Sequence, residues 1–168
     1  IEHINNLKLT PGATIVALAD PVASSLAMSQ RAIGHEVATF ADSAALAASG
    51  LCDAVVVSSP NFTHHDVLGP LMDAQLHILC EKPLCTTLAD ARAIATRAKG
   101  YDRIFWTAME YRYMPPVADY VAQLHAGRVG KLQMLSIREH RFPFLVKVGD
   151  WNRFAINTGG TMVEKCCH

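Results

Sequence analysis

In an open parallel sheet ligands gather at the carboxyl ends of the strands, so polar residues that close apolar runs are the first candidates for chemistry. Four such places occur. Ile78-Leu79-Cys80 gives way to Glu81-Lys82-Pro83, which puts an acid and a cation together where a buried strand emerges and a proline fixes the backbone. A lysine held there can bond a hydroxyl and stabilise the alkoxide that forms as hydride leaves; a structural ion pair is the alternative. Asp20 closes Ile15 to Ala19 just before Pro21. An acid in that position can accept hydrogen bonds from an adenosine ribose, or serve as a turn or helix N-cap residue. Val55 to Val57 runs into Ser58-Ser59-Pro60-Asn61 and then Thr63-His64-His65, where small hydroxyls and an amide can face phosphates and ribose or simply form a turn and cap. His64 is the ligand candidate within it, against the plainer reading of solvated histidines at a helix start. Glu110-Tyr111-Arg112 ends the run from Ile104, and Arg112 can bind substrate oxygens or pair with a carboxylate.

Near the end of the chain, Glu164 and His168 stand four apart, on one face if that segment is helical. The imidazole can then act as a base while the carboxylate orients it. Metal ligation by the same pair with Cys166 and Cys167 is disfavoured, because no second cluster has ligand spacing. Cys80 and Cys85 have four residues between them, which fits neither redox nor zinc-knuckle patterns, so they read as buried thiols.

The elements that would carry these residues follow from periodicity. Ala13 to Ala19, Glu36 to Phe40, Asp53 to Ser58, His77 to Cys80 and Ile104 to Ala108 read as strands, near-continuous enough to be buried on both faces. Helices are expected over Val22 to Ile33, Ala44 to Ser49, His64 to Ala74, Leu88 to Lys99 and Pro116 to Ala126, with Glu2 to Leu7 finishing an earlier one. This alternation makes an α/β fold with a doubly wound parallel sheet. Thr87 and Asp90 resemble a capping box, Gly100 suits the end of that helix, and Pro115-Pro116 suits a helix start. After Gly130 the pattern changes to strand-like alternation from Lys131 to His140, the expected opening of a second sheet. From Pro143 to Gly160 the chain reads as loop, and Thr161 to His168 as another helix. Two domains are expected, 1–114 and 115–168.

With 168 residues, 51% hydrophobic and 18% charged, the chain has the balance of a globular protein with a full core. Lys plus Arg and Asp plus Glu each number 15, so no net field draws nucleic acid or an anionic membrane, and a neutral small molecule is the expected partner. No apolar run approaches the roughly 20 residues of a membrane span. Five cysteines without a regular framework favour a reducing compartment, with the cytoplasm as the default.

Taken together, Ala-Asp-Pro at 19 to 21, Ser-Ser-Pro-Asn at 58 to 61 with His64, Glu-Lys-Pro at 81 to 83, Glu-Tyr-Arg at 110 to 112, and Gly-Gly before Glu164 and His168 occur in the order of one family. The set resembles the glucose-fructose oxidoreductase and inositol dehydrogenase family, also called Gfo/Idh/MocA, over nearly the whole chain. That resemblance implies a Rossmann domain followed by a sheet-rich α+β substrate domain, and hydride transfer between nicotinamide and a sugar, polyol or related carbonyl. It implies Lys82 at the reacting hydroxyl, His168 as acid/base, and Glu164 where the family commonly has Asp. Asp20 would hold the adenosine ribose and favour NAD, with NADP the alternative, while Ser59, Asn61, His64, Glu81 and Lys82 would line the cofactor cleft and Arg112 would meet substrate. No metal is implied.

Two departures stand out. No Gly-x-Gly-x-x-Gly occurs, so the phosphate cradle and the central first strand are expected to be missing. The chain also stops at His168, leaving most of a substrate sheet unaccounted for and a terminal base on a frayed helix. The competing expectation is therefore a non-catalytic remnant or truncated product that binds a nucleotide, a sugar or a partner; a sheet edge would also allow a homo-oligomer of the intact protein.

Overall fold

The computed structural model describes residues 1–140 and 145–167. Five short parallel strands carry the fold: β1 (Ala17–Ala19), β2 (Ala38–Phe40), β3 (Ala54–Val57), β4 (His77–Glu81) and β5 (Phe105–Ala108). All five fall inside the runs read from periodicity except that β4 extends one residue further, to Glu81. The helices are α1 (Glu2–Leu9), α2 (Ala23–Ile33), α3 (Ser43–Ala48), α4 (His64–Asp73), α5 (Leu88–Ala98), α6 (Pro115–His125), α7 (Ala155–Thr158) and α8 (Thr161–Lys165).

Local chemistry explains several boundaries. The Thr87 hydroxyl accepts the Asp90 backbone N–H at 3.2 Å and donates to the Asp90 carboxylate at 2.6 Å, which closes the first turn of α5. Asp42 caps α3 through a 2.8 Å bond from the Ala45 N–H. Pro115 and Pro116 occupy the first positions of α6, where a missing N–H costs nothing. Helix α2 ends on Gly34 at φ +89, a left-handed conformation that favours glycine.

The strands form two sheets, β1-β2 and β3-β4-β5, with α2, α4 and α5 making the crossovers. In the doubly wound order 3-2-1-4-5-6 these five strands take places 2 to 6, so the place between β1 and β3 belongs to a first strand that none of the described residues fills. The larger sheet positions the core. Ile78 and Cys80 of β4 and Val57 of β3 pack with Leu68, Leu71 and Met72 of α4 and Ile94 of α5, all nearly solvent-free. Truncating one such buried aliphatic chain to alanine costs about 2–5 kcal/mol.

One expectation is overturned. Residues 131–140 form no strand; they are exposed and irregular throughout. Alternation of side chains makes a strand only where a neighbour supplies the ladder hydrogen bonds, and none of the described strands forms a ladder with this stretch. The loop expected from Pro143 to Gly160 instead holds a 3-10 turn at Val148–Arg153 and α7. Among the described residues no helix is long and apolar enough to cross a membrane.

Candidate functional site

The carboxyl end of β4 delivers Glu81 and Lys82 to the surface of the sheet, followed by a cis peptide bond to Pro83. Register sets the neighbours: Val57 of β3 lies opposite Cys80, and Ala108 of β5 opposite Glu81. Chain reversals after β3 and β4 therefore share one edge.

Glu81 is bound from two sides. Its Oε2 accepts the Lys82 backbone N–H at 3.1 Å, and its Oε1 meets His3 Nε2 of α1 at 2.7 Å. Burial pushes the Glu81 carboxyl up, but the His3 and Lys82 bonds outweigh it and hold the group below its ordinary value. The bond to Glu81 correspondingly raises His3, against an opposing effect of burial. The Lys82 ammonium donates to the backbone carbonyl of Glu164 at 2.9 Å, which brings the second half of the chain to the same place.

That approach depends on a glycine. Gly159 sits at φ +76 between α7 and α8, and a methyl group there would lie 2.9 Å from the Thr86 carbonyl oxygen and 2.8 Å from Val163. Phe62 and Trp151 add an edge-to-face contact at 6.4 Å between the turn after β3 and the 148–153 turn.

Asn61, in the 3-10 turn Asn61–Thr63, is 7% exposed, and its amide nitrogen has no hydrogen-bond partner among the described residues. A buried unpaired N–H costs about 1–3 kcal/mol, so this donor fits an acceptor brought by a ligand. Ser59 receives a 2.9 Å bond from the Thr63 hydroxyl. Asp20 Oδ1 accepts the Val22 N–H at 2.8 Å, the turn role weighed from sequence, and this uses one of the two carboxylate oxygens.

His64 has a different place from the one expected. Its ring is fully buried; Nδ1 faces the carbonyls of Pro83 at 2.9 Å and Leu84 at 3.2 Å, and Nε2 faces that of Ser59 at 3.1 Å. Placed in this way, it staples the turn after β3 to the turn after β4. Arg112 is exposed, in the 3-10 turn after β5, with no ion pair among the described residues. Glu164 is mostly buried and pairs with Lys165 at 3.0 Å. The helix expected over Thr161 to His168 is α8, which ends at Lys165 with Cys166 as its C-cap. His168 itself lies outside the described residues. Cys80 is buried as expected, its thiol pushed up to about 12 by desolvation first and the neighbouring Cys85 and Glu81 second; Cys85, also buried, is raised to about 11. Neither is a ready nucleophile.

His3 was not among the sequence candidates. It lies 78 residues from Glu81, in the first turn of a helix with no motif around it, and only the packing of α1 brings it to the end of β4. A surface depression lies elsewhere, between α2 and β2, lined by Gln30, His35 and Val37. It is open and contains none of the residues above, so the strand-end cleft is the better candidate.

A model of the oxidoreductase family with an NAD-binding Rossmann fold matches residues 1–109. The chain belongs to the Gfo/Idh/MocA oxidoreductase family. It is 30% identical to the rhizopine catabolism protein MocA of Rhizobium meliloti over 160 residues, covering 92% of this chain and 46% of that protein. To the myo-inositol 2-dehydrogenase of Thermotoga maritima it is 30% identical over 135 residues, 80% of this chain and 40% of the relative. An oxidoreductase from Agrobacterium radiobacter, solved with NAD+, L-tartaric acid and magnesium, superposes with a TM-score of 0.70 at 25% identity, covering 76% of this chain and 37% of that one. The chain thus spans less than half the length of these relatives.

Proposed function

We propose that this family member serves an NAD-dependent oxidoreductase that moves hydride between a polyol or sugar hydroxyl, inositol-like in class, and nicotinamide, with NADP the less favoured cofactor. The observation that carries the reading is Lys82 itself, its backbone N–H bonded to the Glu81 carboxylate at the strand end and its ammonium to the Glu164 backbone carbonyl. Relatives named as inositol dehydrogenases support the substrate class.

The residues present fit the cofactor in part. The unpaired Asn61 amide offers a buried donor, Glu81 and Lys82 border the same edge, and Asp20 at the end of β1 keeps an oxygen for a ribose hydroxyl. When bound, nicotinamide would supply the hydride acceptor. The chain's own residues would do the rest. Lys82 would hold the reacting hydroxyl oxygen and stabilise the charge that grows on it. Glu164 would fix the segment leading to His168, the proposed acid/base. Arg112 would meet substrate oxygens from the edge after β5. In this reading 1–114 is the cofactor domain and 115–168 opens the substrate domain.

A second reading, a binding or interaction module without turnover, draws on the exposed apolar side chains of Leu132, Met134, Leu135 and Ile137. Calorimetric titration separates the two. The oxidoreductase reading expects NAD+ to bind and a polyol to bind more tightly in its presence; polyol binding indifferent to NAD+, or no NAD+ binding by the chain extended to its whole coding sequence, would contradict it.

A further inference from the structure

We propose that His3 is a positioning residue for Lys82, acting through the Glu81 carboxylate. The proposal rests on the reading above that Lys82 meets the reacting hydroxyl. Helix α1 and strand β4 are distant in sequence, and among the described residues the side-chain bond that ties this helix to the strand end is His3 to Glu81 at 2.7 Å. Of the two oxygens of Glu81, one is taken by His3 and the other by the Lys82 backbone N–H. The carboxylate is therefore held at both ends, and its orientation sets where the Lys82 backbone leaves the strand. From there the Lys82 side chain reaches the Glu164 carbonyl.

The link is sensitive to protonation. The two side chains are each about a third exposed, at 30% and 31%, so the pair is only partly screened. The side chains whose charge acts on His3 are Glu81 from β4 and Glu2 from α1 itself; Lys82 acts on Glu81 from beyond the pair. As imidazolium, His3 donates to Glu81 and attracts it. As neutral imidazole it keeps at most the hydrogen bond. Raised by its partner, His3 stays charged above its ordinary value of 6.5 and gives up the ion pair at higher pH.

The test reads Lys82 directly. The acetylation rate of each lysine is followed by mass spectrometry as a function of pH in the wild type, His3→Gln and His3→Ala. In the wild type the Lys82 profile should show an inflection above pH 6.5 that Lys8 and Lys99 lack. His3→Gln, which retains a donor that does not titrate, should lose the inflection; His3→Ala should also shift Lys82 reactivity by about fivefold. A wild-type profile for Lys82 in His3→Gln would overturn the proposal, and this variant decides the matter if His3→Ala fails to fold. If the Lys82 profile responds as expected while no polyol reduces NAD+, the positioning role stands and the oxidoreductase reading fails.

Discussion

Lys82 and Asp20 are charged residues at strand ends; the bond from Lys82 to the Glu164 carbonyl is one that sequence could not specify, whereas that of Asp20 is the local turn contact weighed from sequence. For Asp20 the Val22 N–H occupies one oxygen, which fixes the carboxylate at the end of β1. A 2′-phosphate would meet that charge, so the account expects NAD+ to bind more tightly than NADP+. Asp20→Ser should narrow the preference by about tenfold, as read by titration with both nucleotides. The His3–Glu81 pair makes a second prediction, in stability. His3 is raised, so its contribution is full below pH 6.5 and is lost as pH rises through its folded value. Glu81 is lowered, so its contribution is full above 4.5 and is lost as pH falls through its folded value. The pair therefore stabilises most between those limits. Denaturant unfolding across this range should show His3→Gln flattening the alkaline decline relative to wild type; an unchanged slope would count against the pair.

Elements were legible in the sequence wherever burial and caps act locally. The five strands and the helices from α2 to α6 fall within a residue or a few of the periodic runs, because buried Val57, Ile78, Leu68 and Ile94 mark the faces that pack. The Thr87 cap and the Pro115 start needed no tertiary knowledge. The stretch 131–140 was misread because alternation is a property of the side chains, whereas a strand requires a partner. The contacts of His64 were not legible for a related reason. Its type suggested a ligand contact, while its partners, the carbonyls of Ser59, Pro83 and Leu84, come from turns that sequence does not juxtapose. Gly159 carries an element-scale prediction. Its positive φ and the proximity of Thr86 allow α8 to reach Lys82. Gly159→Ala should lower stability by roughly 3 kcal/mol in denaturant unfolding and raise Lys82 reactivity as the Glu164 contact loosens. Full stability in that variant would contradict the packing described.

For the molecule as a whole, the described strands divide into two sheets, β1-β2 and β3-β4-β5, and doubly wound order puts a further strand between them. The absence of a glycine-rich loop from the sequence pointed to the same place. Family membership and fold were thus readable from ordered motifs, whereas the His3 to Glu81 to Lys82 chain of contacts was not, since it joins residues brought together only by tertiary packing. The central claim is that Lys82 stands at the hydroxyl borne by the carbon from which hydride leaves. Its most direct test uses a polyol deuterated at the carbinol carbon, incubated with NAD+ and the chain extended to its whole coding sequence, with nicotinamide read by mass spectrometry. The account predicts deuterium in the nicotinamide, reduced by about 100-fold or more in Lys82→Ala with NAD+ affinity little changed. Bound NAD+ with no deuterium transfer from any inositol or sugar tried, or equal transfer by Lys82→Ala, would contradict it.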